Sequence, residues 1–312
     1  MPRSFCGPSF GLALVVVSAL CLLVLQNIPS SFRSFNCTTK DEVVRSCNQF
    51  IEELDKEFDL RRESRQNYTR AVRGSSEGKM LYDLYEPEAN CLSEERFGND
   101  RFASFGDGPK FVCGVDFIAN QAELTNKSCL VYSIGSDNDI SFEKSVSKHL
   151  GCEIHTFDPT VRVEDFVGTS VASFHGWGLG EDGEVVNFGV RGGGSFTSMS
   201  LKSMVEKLGH TGRNIDLLKI DCEGCEWQAL PDVFDAIHAG EMKVDQIQIE
   251  LHGGTKDLIK SLFHKADAAR MRIMHKERNH WGCDGYRCLE YAFVSESFLR
   301  KAHEWQMCPY AT

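Results

Sequence analysis

Basic residues are in deficit. The 312 residues hold 34 Lys+Arg against 45 Asp+Glu, a formal charge of −11. Binding to a nucleic-acid backbone is driven by clustered Lys and Arg, so no nucleic acid is expected as the main partner. No internal repeat is present, which removes solenoid and propeller architectures. Only one long uncharged apolar run occurs, which excludes a polytopic membrane protein. No G-x-G-x-x-G fingerprint stands at Gly135, after the apolar segment Cys129–Ile134. No second close cysteine pair accompanies Cys222-x-x-Cys225, so a four-ligand zinc site is incomplete and no metal is expected. What is present is ordinary globular composition, 42% hydrophobic and 25% charged. That excludes a disordered or collagen-like chain, and the length allows one large domain or two modest ones.

No charge lies between Arg3 and Arg33, and Phe10 to Leu25 is nearly all apolar. Counted from Phe5 to Ile28, the run approaches the roughly 20 residues that cross a bilayer core. A cleaved signal peptide would have a shorter apolar region and a small-x-small site, and Gln26-Asn27-Ile28-Pro29-Ser30 is a poor one. Residues 1–33 are therefore expected to be a cytosolic tip and an uncleaved signal anchor, one N-terminal helix in the membrane. The remainder would face the ER or Golgi lumen, as in a single-pass type II protein. Three sequons fit that side: Asn36-Cys37-Thr38, Asn67-Tyr68-Thr69 and Asn126-Lys127-Ser128. Of 13 cysteines, Cys6 and Cys21 fall in the anchor region, leaving 11, a count that suits an oxidising compartment. Spacing suggests Cys283–Cys288 and Cys91–Cys113 as pairs.

Residues 34–86 read as a stem. Val44, Cys47, Ile51, Leu54 and Phe58 recur at spacings of three and four between charges, the pattern of an amphipathic helix with a short heptad-like seam. Such a helix either lies on the main domain or forms a dimer through the stem. Residues 87–312 form the main domain, and its lead-in, 88–128, reads as loop-rich. From Cys129 onward strands and helices alternate. Strands are predicted at Cys129–Ile134, Cys152–Phe157, Ser170–Phe174, Val185–Phe188, Ile215–Ile220, Val244–Leu251 and Tyr291–Val294. Helices are predicted at Ile140–Leu150, Leu201–Leu208, Pro231–His238 and Lys256–Met271. This alternation predicts a doubly wound, mostly parallel α/β sheet.

In open α/β sheets ligands bind beyond the carboxyl ends of the strands. After the first strand come Gly135, which permits a tight turn, then Ser136, Asp137, Asn138 and Asp139, a potential helix cap. Asp158 follows the second strand, 23 residues beyond Gly135, a spacing that suits an acid holding a ribose hydroxyl pair. After Ile215–Ile220, Asp221, Glu223 and Glu226 cluster, an arrangement that is costly unless it meets a cation, donors or water. In Val244–Leu251, Ile247, Ile249 and Leu251 share one face and Gln246, Gln248 and Glu250 the other. His252 ends that strand, placed for a general base. The Gly192-Gly193-Gly194 run reads as a connector.

Together these segments resemble the FkbM-type methyltransferases and the membrane-anchored, methyltransferase-like animal proteins related to them. The resemblance rests on Leu130–Gly135 with Asp137–Glu143, on Phe157-Asp158-Pro159, on Asp216–Asp221 with Glu223-Gly224-Cys225-Glu226, and on Gln248–His252. Gly106–Cys113 resembles the animal branch. The similarity covers roughly residues 87–308, and the D-x-E-G-x-E element is its most specific part. It implies a class I fold that binds S-adenosylmethionine (SAM) and methylates an oxygen on a sugar or another small acceptor. Carried over, Gly135 and its loop, with Ser136 and Asp137, would lie against the methionine and ribose. Asp158 would take the ribose hydroxyls, and Asp221 and Glu223 would border the methyl group and its acceptor. The first loop departs from the family in having one Gly, with Asp137 and Asn138 beside it. Two alternatives are a catalytically inactive binding protein of the same fold and a glycosyltransferase using Asp137-Asn138-Asp139 as a D-x-D metal site.

Overall fold

A computed structural model describes residues 40–71, 82–98, 108–162, 171–279 and 288–307. The chain divides into two compact units, Met1–Ser46 and Cys47–Thr312. In the first, the described residues are the opening turns of helix α1 (Lys40–Ala71). Strands β1 (Glu94–Phe97) and β2 (Lys110–Cys113) pair antiparallel and lead into α2 (Val115–Thr125). Then follow β3 (Leu130–Ile134), α3 (Ser141–Leu150), β4 (Glu153–Phe157) and β5 (Ser173–His175). Short strands β6 (Gly178–Leu179), β7 (Val185–Phe188) and β8 (Gly194–Met199) make a separate small sheet. The chain continues through α4 (Leu201–Lys207), β9 (Asn214–Ile220), α5 (Glu226–His238) and β10 (Lys243–His252). It ends with α6 (Lys256–Ala268), β11 (Met271–Arg278), β12 (Cys288–Ser295) and α7 (Glu296–Met307).

The main sheet has seven strands in the order β11-β12-β10-β9-β3-β4-β5. From β10 to β5 every neighbour is parallel, while β12 runs antiparallel to both β10 and β11. The expected doubly wound, mostly parallel sheet is thus present, with one antiparallel strand. The winding reverses at β3, flanked by β4 on one side and β9 on the other, and a crevice at such a switch point is where open α/β sheets bind ligands. Both faces are covered, so strand side chains alternate between two cores. Leu130, Tyr132 and Ile134 enter one with Leu230, Phe234 and Phe263. Val131 enters the other with Val146, Ile154 and Phe298.

Helix α1 lies along the domain through its later turns. Ile51 and Phe58 are buried, and Arg65 reaches Glu88 at 2.9 Å and also pairs with Asp267. Val44 and Cys47 have side chains outside the described set. Among the described residues no helix is long and apolar enough to cross a membrane; the expected anchor, 1–33, lies outside them. The lead-in is more ordered than expected, since it holds β1, β2 and all of α2.

Other departures have local causes. Helix α5 begins at Glu226 rather than Pro231, so that proline sits inside the helix and costs one backbone bond. The predicted Lys256–Met271 helix stops three residues early, because Arg270 turns left-handed (φ 55°) and Met271 opens β11. Gly194 starts β8 instead of continuing a connector. Cys91–Cys113 is bonded as expected, and Cys129–Cys152 and Cys222–Cys225 are bonded too. Cys288 is also disulfide-bonded, and Cys283, its expected partner, is outside the described residues.

Candidate active site

The turn after β3 needs glycine. Gly135 has φ 80°, and a Cβ there would lie 1.6 Å from the Asp221 carbonyl oxygen. That contact joins the ends of β3 and β9, which are also tied by Asp221 N donating to Ile134 O at 2.9 Å. Beside this glycine, Asp137 and Asn138 themselves adopt left-handed backbone, φ 43° and 67°. Asp and Asn tolerate that region better than other non-glycine residues, so the loop follows a glycine-like path without glycine.

Asp158 organises this loop. Its Oδ2 accepts from Ser136 N (2.9 Å), Ser136 Oγ (3.1 Å) and Asp137 N (3.0 Å). Its Oδ1 accepts from Thr160 N (2.9 Å) and Thr160 Oγ1 (2.7 Å). Burial opposes the charge, but these donors outweigh it and hold the carboxyl below its ordinary range. Asp139 accepts from Ser141 N at 2.8 Å, but the N-cap of α3 is Ile140, one residue later than expected, and it makes no side-chain cap.

The D-x-E-G-x-E element lies directly across from Gly135. The Cys222–Cys225 disulfide closes a tight ring around Glu223 and Gly224, both at positive φ (57° and 118°). A left-handed glutamate is a strained residue held by its surroundings. Glu223 projects into solvent, yet its Oε2 lies 3.4 Å from His252 Nε2. On the imidazole's other side, Glu226, fully buried, lies 3.1 Å from Nδ1. Asp221 and Glu250 stand 3.9 and 3.8 Å from Nε2. Burial pulls the His252 pKa down, but Glu226, Glu223 and Glu250 overcome it, and the value is raised to about 9. The resting residue is therefore an imidazolium, not the neutral base its position suggests.

Behind His252 sits Lys110, from β2, buried among carboxylates. Its Nζ is 2.5 Å from Glu290 and 3.3 Å from Asp221. Burial opposes the ammonium; Glu290, Asp221 and Glu250 more than compensate, and its pKa is raised. Burial also pushes Glu290 up to about 8, against the pull of Lys110. Asp221 feels Lys110, Lys219 and His252 beyond its own desolvation and is lowered. Lys219 donates to Gly135 O at 2.5 Å, which links this charge cluster to the first loop. The polar face of β10 is consequently buried rather than open. Gln246 clasps the Cys113 backbone through both amide atoms at 2.8 Å, and Glu250 accepts from Asn279 at 2.7 Å.

The sequence profile of a family described as "Methyltransferase domain" matches residues 44–295. The chain belongs to this methyltransferase family. The profile spans every strand of the main sheet and both halves of the site. The human and rat proteins each named "Probable methyltransferase-like protein 24" are 29% identical to this chain over 147 and 148 residues. Those matches cover 46% of this chain and 38% of the relatives, so the aligned part is well under half of their length. Solved structures show a low-scoring likeness. A fibrillarin pre-rRNA processing protein of Methanococcus jannaschii has TM-score 0.34 at 7% identity, covering 54% of this chain and 67% of its own. A Burkholderia thailandensis 1,6-didemethyltoxoflavin N1-methyltransferase, solved with S-adenosylhomocysteine, has TM-score 0.32 at 10% identity, covering 58% and 78%.

In this methyltransferase-family chain the residues singled out from sequence fall into two adjoining sets. Gly135, Ser136, Asp137 and Asp158 form the loop at the ends of β3 and β4; Asp221, Glu223 and His252 form the cluster at the ends of β9 and β10. Lys110, Lys219, Glu250 and Glu290 were missed as site residues. Glu250 carried a signal, since a polar residue on a parallel strand asks for a buried partner. Lys110 carried none beyond its motif, because its partners lie 111 and 180 residues away in sequence.

Proposed function

We propose that the chain is a membrane-anchored methyltransferase of the secretory lumen that uses SAM to methylate an oxygen of a small-molecule or glycan acceptor. The observation that carries the reading is the junction of the two residue sets at the switch point, where Gly135 touches the Asp221 carbonyl. A loop built on backbone donors and a charged, base-bearing cluster thus share one crevice, in a chain of the methyltransferase family. The cluster sets Asp221, Glu223, Glu226 and Glu250 around Lys110, Lys219 and His252, with Glu290 held toward its neutral form by burial.

SAM, when bound, supplies an electrophilic methyl group on a positively charged sulfur. The Gly135–Asp137 loop would border its methionine and ribose. Both Asp158 oxygens already accept bonds, so ribose hydroxyls would replace the Thr160 hydroxyl on Oδ1 while Oδ2 keeps the loop in shape. Asp221 and Glu223 would orient the acceptor for in-line attack, a positioning effect worth several kcal/mol. A hydroxyl acceptor must lose its proton, and His252, once deprotonated, is placed to take it. The glycosyltransferase alternative is disfavoured because the Asp139 carboxylate is already engaged by the Ser141 amide at the start of α3.

The test is transfer of radiolabelled methyl from SAM to panels of sugars and small hydroxyl compounds. Turnover on a hydroxyl acceptor, reduced about 100-fold or more in His252→Ala, is expected. SAM binding with no transfer to any acceptor class would favour the inactive binding protein. For the lumenal side, Asn126 is exposed at the carboxyl cap of α2. A glycosidase-sensitive mass that Asn126→Gln reduces is expected; unmodified sequons in cells would overturn the topology.

A further inference from the structure

At the opposite end of β4 from Asp158 lies a cluster that methyl transfer does not use. Glu153 opens β4 and His155 follows on the same face; His210 comes from the loop after α4. One carboxylate oxygen, Glu153 Oε1, faces both imidazoles, 3.1 Å from His155 Nε2 and 3.2 Å from His210 Nε2. These three ligand atoms lie within 4.8 Å of one another. The outer nitrogens are also placed. His155 Nδ1 is 2.9 Å from His175 Nε2, and His210 Nδ1 is 2.8 Å from the Tyr132 hydroxyl. Arg213 Nη1 holds the other Glu153 oxygen at 2.8 Å, leaving Oε1 alone toward the rings.

We propose that Glu153, His155 and His210 form a site for one divalent ion of the zinc class, separate from the methyl-transfer cleft. Donors bound to tetrahedral zinc at about 2.0–2.1 Å lie about 3.3–3.4 Å from one another, close to the two oxygen–nitrogen separations already present. Two imidazoles and one carboxylate are a zinc-type donor set with one position left for solvent, and the Glu153 side chain, 38% exposed, keeps that side open. Metal-bound imidazoles characteristically have the second nitrogen held by a partner that fixes ring and tautomer; His175 and Tyr132 occupy that place. The ion would replace the two imidazole hydrogens that otherwise meet Oε1. The site departs from the sequence expectation of no metal because His210 stands 55 residues beyond His155, outside any spacing motif. At about 3.3 Å per strand residue, Glu153 is about 16 Å from Asp158.

The test is competitive titration of Zn²⁺ against a chromophoric chelator, using the 312-residue chain stripped of metal, with circular dichroism to establish folding. One equivalent bound with a submicromolar Kd, weakened at least 100-fold in both His210→Ala and His210→Gln and unchanged in His252→Ala, is the expected result. A folded chain that binds no Zn²⁺, or binding lost in His252→Ala but kept in both His210 variants, would overturn the proposal. The readout is independent of SAM, so either result leaves the methyltransferase reading untouched.

Discussion

Gly135→Ala tests the crevice at its tightest point. The added Cβ would meet the Asp221 carbonyl at 1.6 Å, whereas real Cβ contacts essentially never fall under 3.0 Å, so the ends of β3 and β9 must separate by about 1.4 Å. Nothing flexible absorbs this, since both atoms in collision are fixed by backbone and the Asp221 N–Ile134 O bond of 2.9 Å spans the same gap. Left-handed backbone on alanine costs roughly 1–2 kcal/mol, and forcing apart a packed contact adds about 1–3 kcal/mol. The expected loss is about 2–5 kcal/mol in urea denaturation, together with at least a 10-fold loss in SAM affinity. Gly183→Ala is the control: it has φ 84° but nothing within 4 Å of its Cβ, so it should show the backbone cost alone and leave SAM affinity intact. A Gly135→Ala chain that binds SAM like the parent would refute the placement of the crevice.

The His252 pKa, raised from 6.5 to about 9, gives two pH signatures. Its stabilising contribution is fully present below pH 6.5 and is lost as pH rises through 9, so the stability gap between the parent and His252→Asn should narrow over that window. If the neutral imidazole is the base, kcat/KM should climb about tenfold per pH unit on the acid side of a limb near pH 9; a flat profile between pH 6 and 8 would remove His252 from that role. Lys110→Met should cost about 3–5 kcal/mol, because it leaves buried carboxylates without their cation. The deficit should shrink on going from about pH 8 to pH 5 as Glu290 and Glu250 take up protons, and a pH-independent deficit would contradict the described charge cluster.

Much of the fold is legible because parallel strands buried on both faces write apolar runs, such as Cys129–Tyr132, between helices with clear stops such as Gly151. The strand ends are legible too, since Gly135, Asp158 and Asp221 sit at chain positions the topology must bring together. What escapes is set by distant partners. Gln246, Gln248 and Glu250 read only as the polar face of a strand, and the covering of that face by β2 through the Gln246–Cys113 bonds is not written there. Lys110 acquires its meaning only from Asp221 and Glu290, and β11 hides behind a helix pattern that one left-handed residue, Arg270, terminates. The state of His252 is invisible for the same reason: three carboxylates, Glu223 and Glu226 from one segment and Glu250 from its own strand, decide it.

The central claim is a SAM cleft organised by Asp158, and calorimetric titration of SAM into the folded chain beside Asp158→Ala tests it most directly. Micromolar binding, weakened about 10-fold or more in the variant, or roughly 1.4 kcal/mol, is the predicted result. No heat from a parent chain that unfolds cooperatively, or equal affinity in the two chains, would contradict it.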